Sequence, residues 1–244
     1  MVKLAPRIII FDVDGVLVDV RNTFHRCTIE TVRHFTGRRV RRSEIHEWKN
    51  RSGFNDDWKL TTAWINQLGR RVTYDEVKRK YMEFYWGRNG DGYVTGERWL
   101  VPPAVLHRLA RCAELDLFTG RTRQELAHTL RRFSTGKYFR RIVTMDDVAR
   151  QKPDPEGLLR ILRGRPPETA LYLGDNVDDA IAARAAGIPF IGVLPRGGSV
   201  RKLRAPRLRE LGALAVLGHA QNLRRWLERH LEDRTSTRRQ EPPG

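Results

Sequence analysis

The chain has 244 residues and a formal net charge of +17, from 46 lysines and arginines (only eight of them lysine) against 29 acidic residues. Hydrophobic residues make up 40%, enough for one buried α/β core with a smaller appended domain, and no apolar run approaches membrane-spanning length. Cys27 and Cys112 are too few and too far apart for a disulfide framework, and the N-terminus lacks a signal-peptide pattern, so a reducing cytoplasm is expected.

The first predicted element is Ile8–Phe11, a continuous apolar run of the kind that forms a strand buried on both faces of a parallel sheet. Asp12 and Asp14 follow at once, and Gly15 marks a chain reversal. Carboxylates at the carboxyl end of a buried strand stand where open α/β sheets place their ligands. Two so close together resist burial unless a cation or a shared proton joins them. The alternative is an aspartate-rich turn that caps a helix.

Residues 20–100 interrupt the strand pattern and read as helices. Asn22 caps a helix through Phe35, and Ser43–Trp48 and Trp58–Leu68 follow. Thr73 and Glu76 form a capping box before Val77–Trp86. The polar cluster Asn55, Asp56, Asp57, ahead of Trp58, has two readings: N-cap and first-turn residues, or a loop that faces substrate, where acidic groups suit a cationic or hydroxyl-rich leaving group. The glycines of Arg88–Gly96 suit a return linker with hinge character.

Strand and helix then alternate. Strand Leu115–Phe118 ends in Thr119-Gly120, a hydroxyl placed to bond a phosphoryl oxygen, and Thr122 with Glu125 forms a capping box for helix Glu125–Phe133. Strand Ile142–Thr144 precedes Gln151–Pro155, where Lys152 is held extended by Pro153, and Asp154-Pro155 reads as N-cap and first residue of helix Pro155–Leu162. Strand Leu171–Leu173 leads through Gly174 to Asp175 and, four residues on, Asp179. Asp178 suits a helix N-terminus, and helix Asp179–Ala186 ends at Gly187. Strands Phe190–Val193 and Ala213–Leu217 and helix Gln221–Leu231 complete the core, and residues 232–244 read as a disordered tail. The alternation predicts an α/β fold: a doubly wound parallel sheet with an inserted α-helical cap. The core is expected over 1–19 and 101–231, and the cap over 20–100.

The segments F-D-V-D-G, L-F-T-G-R, Q-K-P-D-P and L-G-D-N-V-D-D, in this order at strand ends, resemble the haloacid dehalogenase superfamily of phosphohydrolases. The resemblance implies that Asp12 is the nucleophile and Asp14 the general acid/base, with Thr119, Gly120 and Lys152 binding and neutralising phosphate. It implies Mg²⁺ held by Asp12, Asp14, Asp175 and Asp179. Asp14 sets the chain apart from the metal-free dehalogenase branch and favours phosphate transfer. In the resembled family a helical cap selects substrate, which makes Asn55, Asp56 and Trp58 candidate specificity residues. The expected activity is hydrolysis of a small phosphorylated metabolite through an aspartyl-phosphate, with histidinol phosphate, phosphoglycolate and sugar phosphates all open. A phosphomutase of the β-phosphoglucomutase type shares these residues.

The arginine excess suggests a third possibility, sequence-independent nucleic-acid binding. Against it, the arginine pairs are dispersed from Arg38-Arg39 to Arg238-Arg239 without interleaved aromatics. A compositional bias on solvated faces explains them better, and a positive field also gathers anionic substrates.

Overall fold

The computed structural model describes residues 6–236, with side chains through residue 230. In chain order, β1 (Ile8–Phe11) and β2 (Val18–Asp19) lead into four helices: α1 (Phe24–Thr36), α2 (Arg42–Lys49), α3 (Asp57–Gln67) and α4 (Tyr74–Trp86). Then come β3 (Arg98–Trp99), α5 (Pro103–Ala110), β4 (Glu114–Phe118), α6 (Arg123–Arg132), β5 (Arg141–Val143) and α7 (Glu156–Leu162). The chain continues through β6 (Ala170–Gly174), α8 (Val177–Ala185), β7 (Phe190–Val193), α9 (Gly198–Glu210), β8 (Ala215–Leu217) and α10 (Leu223–Ser236).

Six strands form one parallel sheet in the order β5-β4-β1-β6-β7-β8. On β1, Ile9 and Phe11 enter one apolar cluster and Ile8 and Ile10 the other, which is why the strand is apolar at every position. Helices cover both faces, as the doubly wound pattern requires.

β2 and β3 pair antiparallel, Val18 against Trp99 and Asp19 against Arg98, and carry the chain out to α1–α4 and back. The four helices have a core of their own around Val32, Trp48, Leu60, Trp64, Ile65 and Val77. Phe24, Trp58, Tyr81 and Tyr85 instead join the apolar cluster of the sheet, so this helical unit also packs against the sheet domain.

Several boundaries differ from the sequence expectations. Thr23, not Asn22, precedes α1, and Pro155, not Asp154, precedes α7, although Asp154 Oδ1 still accepts the Glu156 N–H at 2.9 Å. Two helices have no counterpart in the apolar pattern. α5 starts on the prolines Pro102-Pro103, and α9 carries Pro206 internally, yet buries Arg204, Ala205 and Leu208. α10 runs to Ser236, past the expected end at Leu231, and the rest of the expected tail lies outside the described residues. Among the described residues no helix is long and apolar enough to cross a membrane.

Candidate active site

In the order β4-β1-β6, three parallel strands end side by side, and this brings Asp12, Thr119 and Asp175 together from distant parts of the chain. The Asp12 N–H donates to Leu173 O at 2.8 Å, tying the first turn to the end of β6. Gly15 lies at φ +78°, and a Cβ built there would come within 2.6 Å of Asp175 Oδ2. Only glycine therefore lets this turn pass over Asp175.

Lys152 sits behind the strand ends and is buried. Its Nζ donates to Asp12 Oδ1 at 2.9 Å, Asp179 Oδ1 at 2.8 Å and Phe118 O at 3.1 Å. Asp179 is fully engaged: Oδ1 also accepts the Tyr172 hydroxyl at 2.7 Å, and Oδ2 accepts the Asp175 and Asn176 N–H groups. Burial pushes the Asp12 carboxyl well above the usual carboxylate range; Lys152 opposes the shift, while Asp179, Asp14 and Asp175 add to it. Burial likewise raises Asp175 to about 6 against the pull of Arg204.

Asp14 projects from the same turn and pairs with a different cation. Arg121 Nε and Nη2 both donate to its Oδ1, at 2.9 and 2.6 Å. The buried guanidinium also meets Glu97 Oε1 at 2.7 Å and Thr129 Oγ1 at 2.5 Å. Asp175 has a cation of its own: Arg204 Nη1 lies 2.9 Å from its carbonyl oxygen and 3.2 Å from Oδ2.

Oxygens of Asp12, Asp175 and Asp179 all lie within 4.8 Å of one another, and the Asp14 carboxylate stands outside this group. Three carboxylates against Lys152 and Arg204 still leave negative charge that a divalent cation would relieve. The donor set therefore fits Mg²⁺. Asp179, with both oxygens already bonded, suits contact through water better than direct ligation.

Thr119 is buried and its hydroxyl accepts the Arg121 N–H at 3.1 Å. Gly120 borders a cavity of about 40 Å³ over the Asp12–Gly15 turn and faces the Asn55 side chain, whose Nδ2 would be 2.6 Å from a Cβ there. Asn55, Asp56 and Trp58 all border this cavity. Asp56 is the N-cap of α3: Oδ1 accepts the Trp58 and Lys59 N–H groups, and Oδ2 the Tyr74 hydroxyl.

Four further residues shape the site without having been singled out for it by their sequence pattern. Lys49 pairs with Asp57 at 2.9 Å beside the cavity. Asp178 takes the Ser52 hydroxyl and the Gly53 and Asn55 N–H groups onto its carboxylate. Arg121 adjoins the Thr119-Gly120 motif, so its position carried a signal. Arg204 carried none among so many arginines.

The profile of the haloacid dehalogenase-like hydrolase family matches residues 9–193. A protein of Phytophthora nicotianae named imidazoleglycerol-phosphate dehydratase is 31% identical over 195 residues, 76% of this chain but only 43% of its own length, so the chain spans less than half of that relative. Phosphoglycolate phosphatase 1 of Pseudomonas aeruginosa is 28% identical over 75% of this chain and 67% of its own. Among solved structures, a haloacid dehalogenase-like hydrolase from Bacteroides fragilis superposes with a TM-score of 0.71 at 20% identity, covering 89% of this chain and 99% of its own. With the strand-end aspartates, the buried lysine and the matching profile on one sheet, the chain belongs to the haloacid dehalogenase-like hydrolase family.

Proposed function

We propose that this protein is a Mg²⁺-dependent phosphatase that hydrolyses a small phosphorylated metabolite through an aspartyl-phosphate on Asp12. The observation that carries the reading is the pairing of a buried Asp12 with Lys152, one turn from an Asp14 held by a different cation. Relatives named phosphoglycolate phosphatase support the same chemistry.

Lys152 stays protonated, because Asp12 and Asp179 raise its pKa more than burial lowers it. It holds Asp12 in line and offsets the charge of an incoming phosphate. Asp12 Oδ forms a bond to phosphorus as the ester oxygen departs. Both Arg121 bonds fall on Asp14 Oδ1, which leaves Oδ2 to carry the proton for the departing alkoxide. Asp14 then takes a proton from the water that attacks the phosphorus of the acyl-phosphate, freeing Asp12 and inorganic phosphate. Asp12 and Asp175 would hold Mg²⁺, with Asp179 behind them, and the ion would supply charge stabilisation at the phosphoryl oxygens. Thr119 and Gly120 are proposed to receive the phosphate, and Asn55 and Trp58 to meet the leaving group.

The test is phosphate release from a panel of phosphomonoesters, including histidinol phosphate, phosphoglycolate and sugar phosphates, with Mg²⁺ or with EDTA. Hydrolysis that requires the metal and stops in Asp12→Asn supports the reading. Conversion of a sugar phosphate to its isomer without free phosphate would replace it with a phosphomutase.

A further inference from the structure

Six carboxylates border the cavity over the catalytic turn: Asp12, Asp14, Asp56, Asp57, Glu125 and Asp175. Four of them have a cation each. Lys152 serves Asp12, Arg121 serves Asp14, Lys49 serves Asp57 and Arg204 serves Asp175. No ion pair reaches Asp56 or Glu125 among the described residues.

The two differ in what their oxygens do. Both oxygens of Asp56 are committed, to the first turn of α3 and to the Tyr74 hydroxyl. Glu125 is 2% exposed, and its Oε2 accepts the N–H and hydroxyl of Thr122 in a capping box. Its Oε1 is buried without a hydrogen-bond partner among the described residues. The cap role accounts for one oxygen of Glu125 and leaves the other unexplained. A buried acceptor without a partner is costly unless something supplies a donor.

We propose that this cavity selects phosphate esters whose leaving group carries a protonated nitrogen, with Glu125 Oε1 as the acceptor for that N–H; the proposal rests on the phosphatase reading above. A phosphate dianion and a divalent cation cancel, and Lys152 and Arg121 are each shared with a second carboxylate, Asp179 and Glu97, so the surroundings stay net negative and Asp56 and Glu125 are the lining carboxylates that no ion pair offsets among the described residues. Burial raises Glu125 to about 7, with the Thr122 bonds and Arg121 opposing, and an ammonium beside it would restore the carboxylate. An anionic leaving group gains nothing of the kind and meets the Asp56 carboxylate, which no ion pair offsets among the described residues. Lys49 does not offset this, because Asp57 already holds it.

The experiment compares O-phosphoethanolamine (cationic leaving group), glycerol 3-phosphate (neutral) and phosphoglycolate (anionic), with p-nitrophenyl phosphate as reference, all with Mg²⁺. Wild type is expected to favour the cationic ester over the anionic one by at least about tenfold in kcat/KM. Glu125→Gln keeps a capping-box residue at that position but removes the charge. It should lower the ratio of kcat/KM for O-phosphoethanolamine to that for p-nitrophenyl phosphate by about tenfold or more. A wild-type preference for phosphoglycolate overturns the inference while leaving the phosphatase standing, and so does an unchanged ratio in Glu125→Gln. If wild type releases phosphate from none of these four and from no ester of the wider panel, the phosphatase reading and this inference fall together; hydrolysis confined to neutral or anionic esters of that panel overturns this inference alone.

Discussion

The carboxylate of Asp178, in the first turn of α8, accepts the backbone N–H of Gly53 through both oxygens, at 2.9 and 3.0 Å. Ser52 Oγ and the Asn55 N–H join it at 2.9 and 3.1 Å, so α8 grips the loop between α2 and α3 that carries Asn55 to Gly120. Asp178→Ala is expected to weaken closure of this loop by about 1.5–3 kcal/mol, the range for hydrogen bonds to a charged group. Hydrogen exchange at the Gly53 and Asn55 amides should accelerate while amides of β1 and β6 keep their protection. Unchanged exchange at both cap amides would show that the loop is held by other contacts.

Asp12→Asn should abolish turnover and keep the fold, because the amide is isosteric but a poor nucleophile. Asp14→Asn should slow turnover by ~10²–10⁴-fold, the usual contribution of a general acid/base. Phosphate release by both variants, beside a melting curve, checks the pair. Activity of Asp12→Asn within about tenfold of wild type would remove Asp12 as nucleophile.

Metal binding should be strongly pH-dependent. Asp175 is raised from its ordinary 3.8 to about 6, and Asp12 is raised as well, both by burial. In the metal-free protein the folded state binds protons that the unfolded state has already lost. The stabilising contribution of Asp175 is therefore full below about pH 4 and declines as pH rises through 6. Mg²⁺ requires the ionised carboxylates, so the rise in Tm on adding Mg²⁺ should be larger at about pH 7.5 than at about pH 5. Equal rises at the two pH values would contradict Asp12 and Asp175 as ligands.

Arg121 is buried between Asp14 and a fully buried Glu97. Arg121→Met would leave Glu97 with only the Tyr85 and Thr129 hydroxyls, and breaking a buried pair from one side costs about 3–5 kcal/mol. A large fall in the denaturation midpoint is expected. The double variant Arg121→Met with Glu97→Gln should recover part of it.

Asp56→Ala should cost about 0.5–2 kcal/mol through the lost N-cap of α3. If Asp56 also contributes to leaving-group recognition, the ratio of kcat/KM between the best natural ester and p-nitrophenyl phosphate will fall as well. An unaltered ratio confines Asp56 to its cap.

Much of this architecture was legible because local chemistry decides it. A strand buried on both faces must be apolar throughout, as Ile8–Phe11 is, and the capping boxes of Thr73 and Thr122 declare themselves by spacing. The strand-end residues Asp12, Thr119 and Asp175, and Lys152 ahead of α7, could be picked out for the same reason. Which charge answers which was decided only in three dimensions. Arg121 and Asp14 are 107 positions apart, and Lys152 and Asp12 are 140 apart. Pairings of that kind follow from the order in which parallel strands lie side by side, and no local periodicity records that order. The same holds for Asp178 and Glu125, whose sequence positions point only to helix caps. The packing of the helical unit onto the sheet gives one of them a loop to hold and leaves the other, among the described residues, with an unpartnered oxygen in a residue that lines the cavity over the Asp12–Gly15 turn.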